Sequence, residues 1–298
     1  MRPEITPFYE PESGTWSYLV ADPDSGSAAV IDPVWVYDPV SGIASPDHSN
    51  GILDAAKGRG YTLEWVLETH THADHLSAAG HIRRCSGAKI AIGRGICAVQ
   101  QTFAGVFTLQ DVATDGSQFD RLLVEGDVIH LGGLEIRVME TPGHTSDSVT
   151  YLAGDAAFIG DTLFAPDLGT ARCDFPGGDA GLLYDSITRI HALPDTTRLH
   201  LCHDYPAQGH EPTSGVTVAE SRNRNIHTKA GTNRAAYIEM RIKRDAQLSL
   251  PKLIFASLQV NIRAGDSPPA EGNGAAYLKI PFNCELASLI DGRAKEPT

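Results

Sequence analysis

Residues Thr69 to His75, THTHADH, hold His70, His72, Asp74 and His75 directly after the apolar run LEWVLE. Side chains so costly to bury rarely end an apolar strand unless something satisfies them. The spacing suits a metal ion. His70 and His72, at i and i+2 on an extended segment, point to one side and can converge on one ion. Asp74 and His75 fall where the next helix is expected to begin and turn elsewhere. The chain must therefore end a buried strand at this loop and bring further ligands to it from distant positions.

Three such positions are visible. His144 stands in TPGHT, a Gly-bounded turn where backbone can approach an ion closely. Asp161 follows FIG, and His203 stands in LCHDY. Each sits, like His70, just past a strand candidate, and loops at strand ends are where rigid scaffolds present chemistry. Imidazole and carboxylate suit Zn(II), Fe(II) or Mn(II). The five cysteines (85, 97, 173, 202, 284) are scattered and form no CxxC pair that would compete. The other histidines (48, 81, 130, 191, 200, 210, 227) have no matching context and read as ordinary surface or core residues. No GxSxG supports a serine triad and no GxxxxGK[ST] a phosphate loop.

The pattern predicts a hairpin over 16–22 and 27–33, a loop over 38–51 and a short helix over 52–60. It then predicts a strand over 63–69, a helix to Gly87 with Leu76, Ala79 and Ile82 on one face, and a strand over 89–93. Residues 94–126 mix a helix with a polar loop. Strands follow over 134–141, 148–154, 156–161 and 198–204, with a helix over 179–193. The tail reads as helices near 217–229 and 232–248 and a strand over 252–260. Strands alternating with helices in two runs imply an α/β layered fold. No composition break marks a linker. The expectation is one domain over 1–298, with 230–298 as a C-terminal extension packed on it and available for a homodimer interface.

Against 24 Lys and Arg stand 37 Asp and Glu, a net charge of −13, which disfavours a nucleic-acid partner. The unpaired cysteines suggest a reducing compartment without disulfides. The N-terminus lacks the basic and apolar regions of a signal peptide, and no apolar run nears membrane-spanning length. The expected location is cytoplasmic, away from the membrane.

THTHADH, TPGHT, IGD and CHDY in this order resemble the metallo-β-lactamase superfamily. The resemblance implies an αβ/βα four-layer sandwich of two mixed β-sheets flanked by helices, with metal at one edge of the sheets. GDTLFAPDLGTARCDFPGGDAGLLYDSI, ETHTHADHLSAA, CHDY and VAESRNRNIH are similar to persulfide dioxygenases, also called sulfur dioxygenases. YDPVSG, DGSQFD and the tail SLQVNIRAG…YLKIP resemble a bacterial branch of that family. This resemblance implies one Fe(II) per chain, held by His70, His144 and Asp161. Its implied reaction takes glutathione persulfide, O2 and water to glutathione and sulfite. It also implies that His72, Asp74, His75 and His203 remain as outer hydrogen-bond partners rather than ligands of a second ion. Arg172 would anchor a glutathione carboxylate or hold the site loop, and Tyr205 is a second candidate contact. Zinc competes for the same ligands and could replace iron in a recombinant host.

Counting ligands alone points the other way. His70, His72, His144 and Asp161 could serve one ion, and Asp161, Asp74, His75 and His203 another. That arrangement would suit a dinuclear zinc thioester hydrolase similar to glyoxalase II. TARC sets Cys173 beside Arg172, and a small packing residue is the favoured reading over a redox-sensitive thiol.

Overall fold

A computed structural model describes residues 2–206 and 209–291. The chain opens with β1 (Glu4–Glu10), β2 (Thr15–Ala21) and β3 (Ser27–Ile31), an antiparallel meander. Every residue of β2 is buried, because both faces of its sheet are covered. Leu19 and Ala21 face a helix layer, while Tyr18 and Val20 face the second sheet, the two-residue alternation of a strand.

A small hairpin, β4 (Val36–Asp38) and β5 (Ile43–Ser45), precedes α1 (Asp47–Gly58). The 38–51 region is thus a hairpin and a helix start rather than a loop. Its Pro, Gly and Ser residues hide the element, since Asp38 caps the turn by accepting from Val40 and Ser41. Then come β6 (Thr62–Leu67), α2 (Ala79–Ser86), β7 (Lys89–Gly93), α3 (Ile96–Phe107) and β8 (Arg121–Leu123). The first sheet runs β1-β2-β3-β6-β7-β8, antiparallel to β3 and parallel beyond it.

The second sheet comprises β9 (Val128–Leu131), β10 (Leu134–Glu140), β11 (Val149–Ala153), β12 (Ala156–Phe158), β13 (Arg198–His200) and β14 (Gly215–Thr217). Its order is the chain order reversed, and only β12 and β13 pair in parallel. The crossover between them carries α4 (Ala180–His191), whose N-cap Asp179 accepts from Leu182 N–H. β12 and β13 end sooner than the expected 161 and 204, which leaves Asp161 and His203 on the loops beyond them.

Helices α5 (Val218–Arg224), α6 (Arg234–Asp245), α7 (Ile254–Asn261) and α8 (Leu286–Ile290) complete the chain. The stretch expected as a strand over 252–260 is α7. A nine-residue apolar run buried on most sides carries no period that separates helix from strand.

The fold is the α/β metallo-β-lactamase sandwich, two mixed sheets flanked by helices. Tyr18, Ile31, Ile136, Tyr151 and Phe158 fill the space between the sheets. Helices α1, α2, α3 and α7 cover the first sheet, and α4, α5 and α6 the second. The tail therefore serves both outer layers, with Tyr237 packed in one and Ile254 and Leu258 in the other. Among the described residues no helix is long and apolar enough to cross a membrane.

Candidate metal centre

Between β6 and α2 the chain is an irregular buried loop, and Asp74 and His75 lie on it, short of the helix that begins at Ala79. A buried loop must find partners for its peptide groups. Asp32, just past β3, accepts from Thr69 N–H (2.8 Å) and Thr69 Oγ1 (2.9 Å). Its φ of 47° is a left-handed conformation that aspartate tolerates, and it turns the carboxylate back toward the loop. Asp147 accepts from Thr71 N–H (2.8 Å) and Thr71 Oγ1 (2.6 Å). Asn261, at the end of α7, accepts from Ser77 N–H (2.8 Å) and donates to the carbonyls of His72 (2.8 Å) and His75 (2.9 Å).

The other ligand loops are shaped by glycine. Gly143 has φ 139°, and a Cβ there would strike the backbone of Leu183. Gly160 has φ 51°, and a Cβ would come within 2.7 Å of Thr69 Oγ1. Both positions need the missing side chain to bring His144 and Asp161 against the histidine loop.

The structure brings all seven of the expected His and Asp side chains into one cluster. His70 Nε2 and His144 Nε2 stand 3.9 Å and 3.7 Å from the same oxygen, Asp161 Oδ2. The other oxygen, Asp161 Oδ1, is 3.4 Å from His203 Nε2, which is 3.2 Å from Asp74 Oδ2. His75 Nε2 is 4.0 Å from Asp74 Oδ1. His72 lies beside His70, ring centroids 3.9 Å apart, with its Nε2 3.1 Å from Asp32 Oδ1 and 3.8 Å from Glu68 Oε2. Tyr205 is half exposed, with its ring stacked on His203 at 5.8 Å.

These residues fit a bound cation. His70 Nε2, both nitrogens of His75, Asp161 Oδ1 and His203 Nε2 are buried without a hydrogen-bond partner. Ligand atoms bound to one ion at about 2.1 Å stand roughly 3–3.5 Å apart, close to the spacings around Asp161. Burial, reinforced by the neighbouring imidazoles, holds His70 and His75 well below the usual histidine range, the neutral form a metal needs. Burial also lowers His72, but Asp32 and Glu68 outweigh it and bring His72 to about 10. Burial and the Asp32 charge push Glu68 up to about 8. Ligand atoms of His70, His72 and Asp161 lie within 4.8 Å of one another, as do those of His72, His75, Cys202 and His203. The two groups share His72, so they are alternative uses of one imidazole.

A cavity of about 810 Å³ opens onto the cluster and is lined by Asp74, His75, His144 and Asp161. Arg172 also lines it, but its guanidinium is engaged. Nε and Nη2 donate to the two oxygens of Asp174 (2.6 and 2.7 Å), and Nη1 donates to the Ser249 carbonyl (2.7 Å). The Arg172 carbonyl accepts from His144 Nδ1 at 2.7 Å. Cys173 is buried, and burial raises its thiol to about 12, as a packing residue requires.

Sequence reasoning missed Asp32, Glu68, Asp147 and Asn261. Asp32 in VIDP carried the same signal as the ligands, an acid just past a strand. Asn261 carried none, because it acts across 189 positions of chain.

Residues 11–203 match the family model described as the metallo-β-lactamase superfamily. The chain is 46% identical to a probable metallo-hydrolase of Burkholderia pseudomallei, across 93% of this chain and 98% of that one. It is 47% identical to a β-lactamase hydrolase-like protein of Agrobacterium fabrum, across 94% of this chain but only 65% of that longer one. It is 43% identical to Glyoxylase B2 of Dictyostelium discoideum, across 95% of this chain and 98% of that one. Among solved structures, ETHE1 from Myxococcus xanthus superposes with a TM-score of 0.71 at 31% identity, covering 88% of this chain and 100% of that one.

Proposed function

The chain belongs to the metallo-β-lactamase superfamily, and on that footing we propose that it oxidises a thiol persulfide at a single Fe(II) held by His70, His144 and Asp161. The observation that carries this reading is the convergence of His70 Nε2 and His144 Nε2 on one oxygen of Asp161, beside the cavity. Two imidazoles and one carboxylate on one face are the donor set of non-haem iron oxygenases. The likeness to ETHE1 and the persulfide-dioxygenase-like segment from Gly160 to Ile187 support it.

The reaction balances as persulfide plus O2 plus water giving thiol, sulfite and two protons. The two sulfurs of the persulfide together lose four electrons, and dioxygen gains them. An Fe(II) held by His70, His144 and Asp161 would supply the redox chemistry. The chain's own residues orient and exclude. His144 is fixed by the Arg172 carbonyl and packs edge-on against Phe175 at 5.8 Å. Arg172 holds the loop through Asp174 and Ser249. Arg244 and Lys252 line the cavity and form no ion pair among the described residues, so they are the cations available to the carboxylates of a glutathione-like thiol.

A second reading has its own support. His203 faces Asp161 Oδ1 and is followed outward by Asp74 and His75, a donor set that could serve a second ion, and relatives carry hydrolase and glyoxylase names. Such a centre would hold two zinc ions and cleave a thioester. Iron-loaded protein given glutathione persulfide separates the two. The proposal expects one iron per chain, oxygen uptake and sulfite. An iron-loaded chain that takes up no oxygen, or a two-zinc chain that cleaves a glutathione thioester, overturns it.

A further inference from the structure

The segment beyond α5 reaches the ligand loops from behind at two points. On α6, the buried Arg241 donates to Asp245 (2.9 Å) and to the Thr170 carbonyl (3.0 Å), and Asp245 accepts from Cys173 N–H (2.9 Å). This pair brackets Arg172, on whose carbonyl His144 leans. On α7, Asn261 spends its whole side-chain amide on the histidine loop: one bond from Ser77 N–H and two to the carbonyls of His72 and His75. Asn261 is buried, does not line the cavity and makes all three of its side-chain hydrogen bonds to backbone groups, so it acts on the site through the loop.

We infer that Asn261 is a positioning residue for the metal centre, and that this helix of the tail sets how tightly the ion is held. The loop from His70 to Ser77 has no regular structure to define it. Its carbonyls at His72 and His75 point inward and are tied by one amide group. Without that tie the two peptides lose their buried donor and must turn, and the imidazoles they carry turn with them. The inference rests on the cluster being a metal site and is independent of the reaction that the metal performs.

The same helix supplies a matched control. Gln259, two positions earlier and equally buried, also makes three amide hydrogen bonds. They run to the Phe255 carbonyl (2.6 Å), the Lys279 carbonyl (2.9 Å) and from Lys279 N–H (2.9 Å), all within the tail. Metal-stripped full-length protein is titrated with Co(II), followed by its visible absorption. Asn261→Ala is expected to weaken Co(II) binding about ten-fold or more, the effect of losing an outer partner of a metal site. Gln259→Ala should lose comparable thermal stability in the metal-free state but keep the Co(II) affinity of the parent. Equal weakening in both variants would make Asn261 an ordinary packing residue, and unchanged affinity in Asn261→Ala would remove its role; either result overturns the inference. Should Asn261→Ala not fold, Asn261→Asp, which keeps the acceptor for Ser77 but loses both donors, is read in the same way. Co(II) affinity is blind to turnover, so a protein inactive on persulfides leaves this test intact.

Discussion

His144 Nδ1 lies 2.7 Å from the carbonyl oxygen of Arg172. A carbonyl only accepts, so Nδ1 carries the proton and the lone pair sits on Nε2, 3.7 Å from Asp161. The imidazole is therefore oriented as the proposed ligand role requires. Replacing it, His144→Ala, should remove iron and oxygen uptake together. Metal analysis and an oxygen electrode on the same preparation check this; activity that survives with iron retained would show that another residue holds the ion.

His203 faces the other oxygen of Asp161. With one ion at His70, His144 and Asp161, His203→Ala should keep close to one iron per chain and lose activity by about ten- to a hundred-fold, as loss of an outer partner does. With two ions the same change should halve the metal content. Metal-to-protein ratio decides.

Arg244 and Lys252 are exposed, so each charge-assisted contact to a carboxylate is worth about 1 kcal/mol. Removing both, Arg244→Ala with Lys252→Ala, should raise KM for glutathione persulfide roughly ten-fold or more with kcat little changed. A persulfide lacking carboxylates should show no such difference. Equal KM values for parent and double variant would place the substrate elsewhere in the cavity.

His200 is 6% exposed, stacked on Phe158 at 4.7 Å and edge-on to Tyr18, and neither ring nitrogen has a partner. Burial, with Arg198 nearby, lowers it from the usual 6.5 to about 4. Between those values the unfolded chain binds a proton that the folded chain does not, so stability is full above 6.5 and falls as pH drops toward 4. The shift corresponds to roughly 3 kcal/mol. His200→Phe should flatten the stability curve of the metal-free protein across this window in urea unfolding. An unchanged slope would assign the acid sensitivity to other groups.

The clustered histidines and acids were legible because metal-binding chemistry constrains spacing: an HxHxDH run, and single His or Asp residues just past strands. The layered α/β class was legible because a strand such as β2, buried along its whole length, is mostly apolar, with only Thr15 and Ser17 as polar positions in it. The hairpin of β4 and β5 was hidden by its turn residues, and α7 by an apolar run with no period. The outer shell was least visible. Asp32 and Asp147 look like any turn-forming acid, and Arg172 looks like a free cation until Asp174, two positions on, and Ser249, far along the chain, are seen to occupy it.

The three bonds of Asn261 to the histidine loop span 184 to 189 positions of a 298-residue chain. A protein emerging from the ribosome exposes its histidines long before that asparagine appears. Iron offered early meets an open, imprecise set of imidazoles, and the finished pocket arises only once the last helices have docked. On the inference that Asn261 sets how tightly the ion is held, chains cut short before α7 should bind a metal ion more weakly than the full chain.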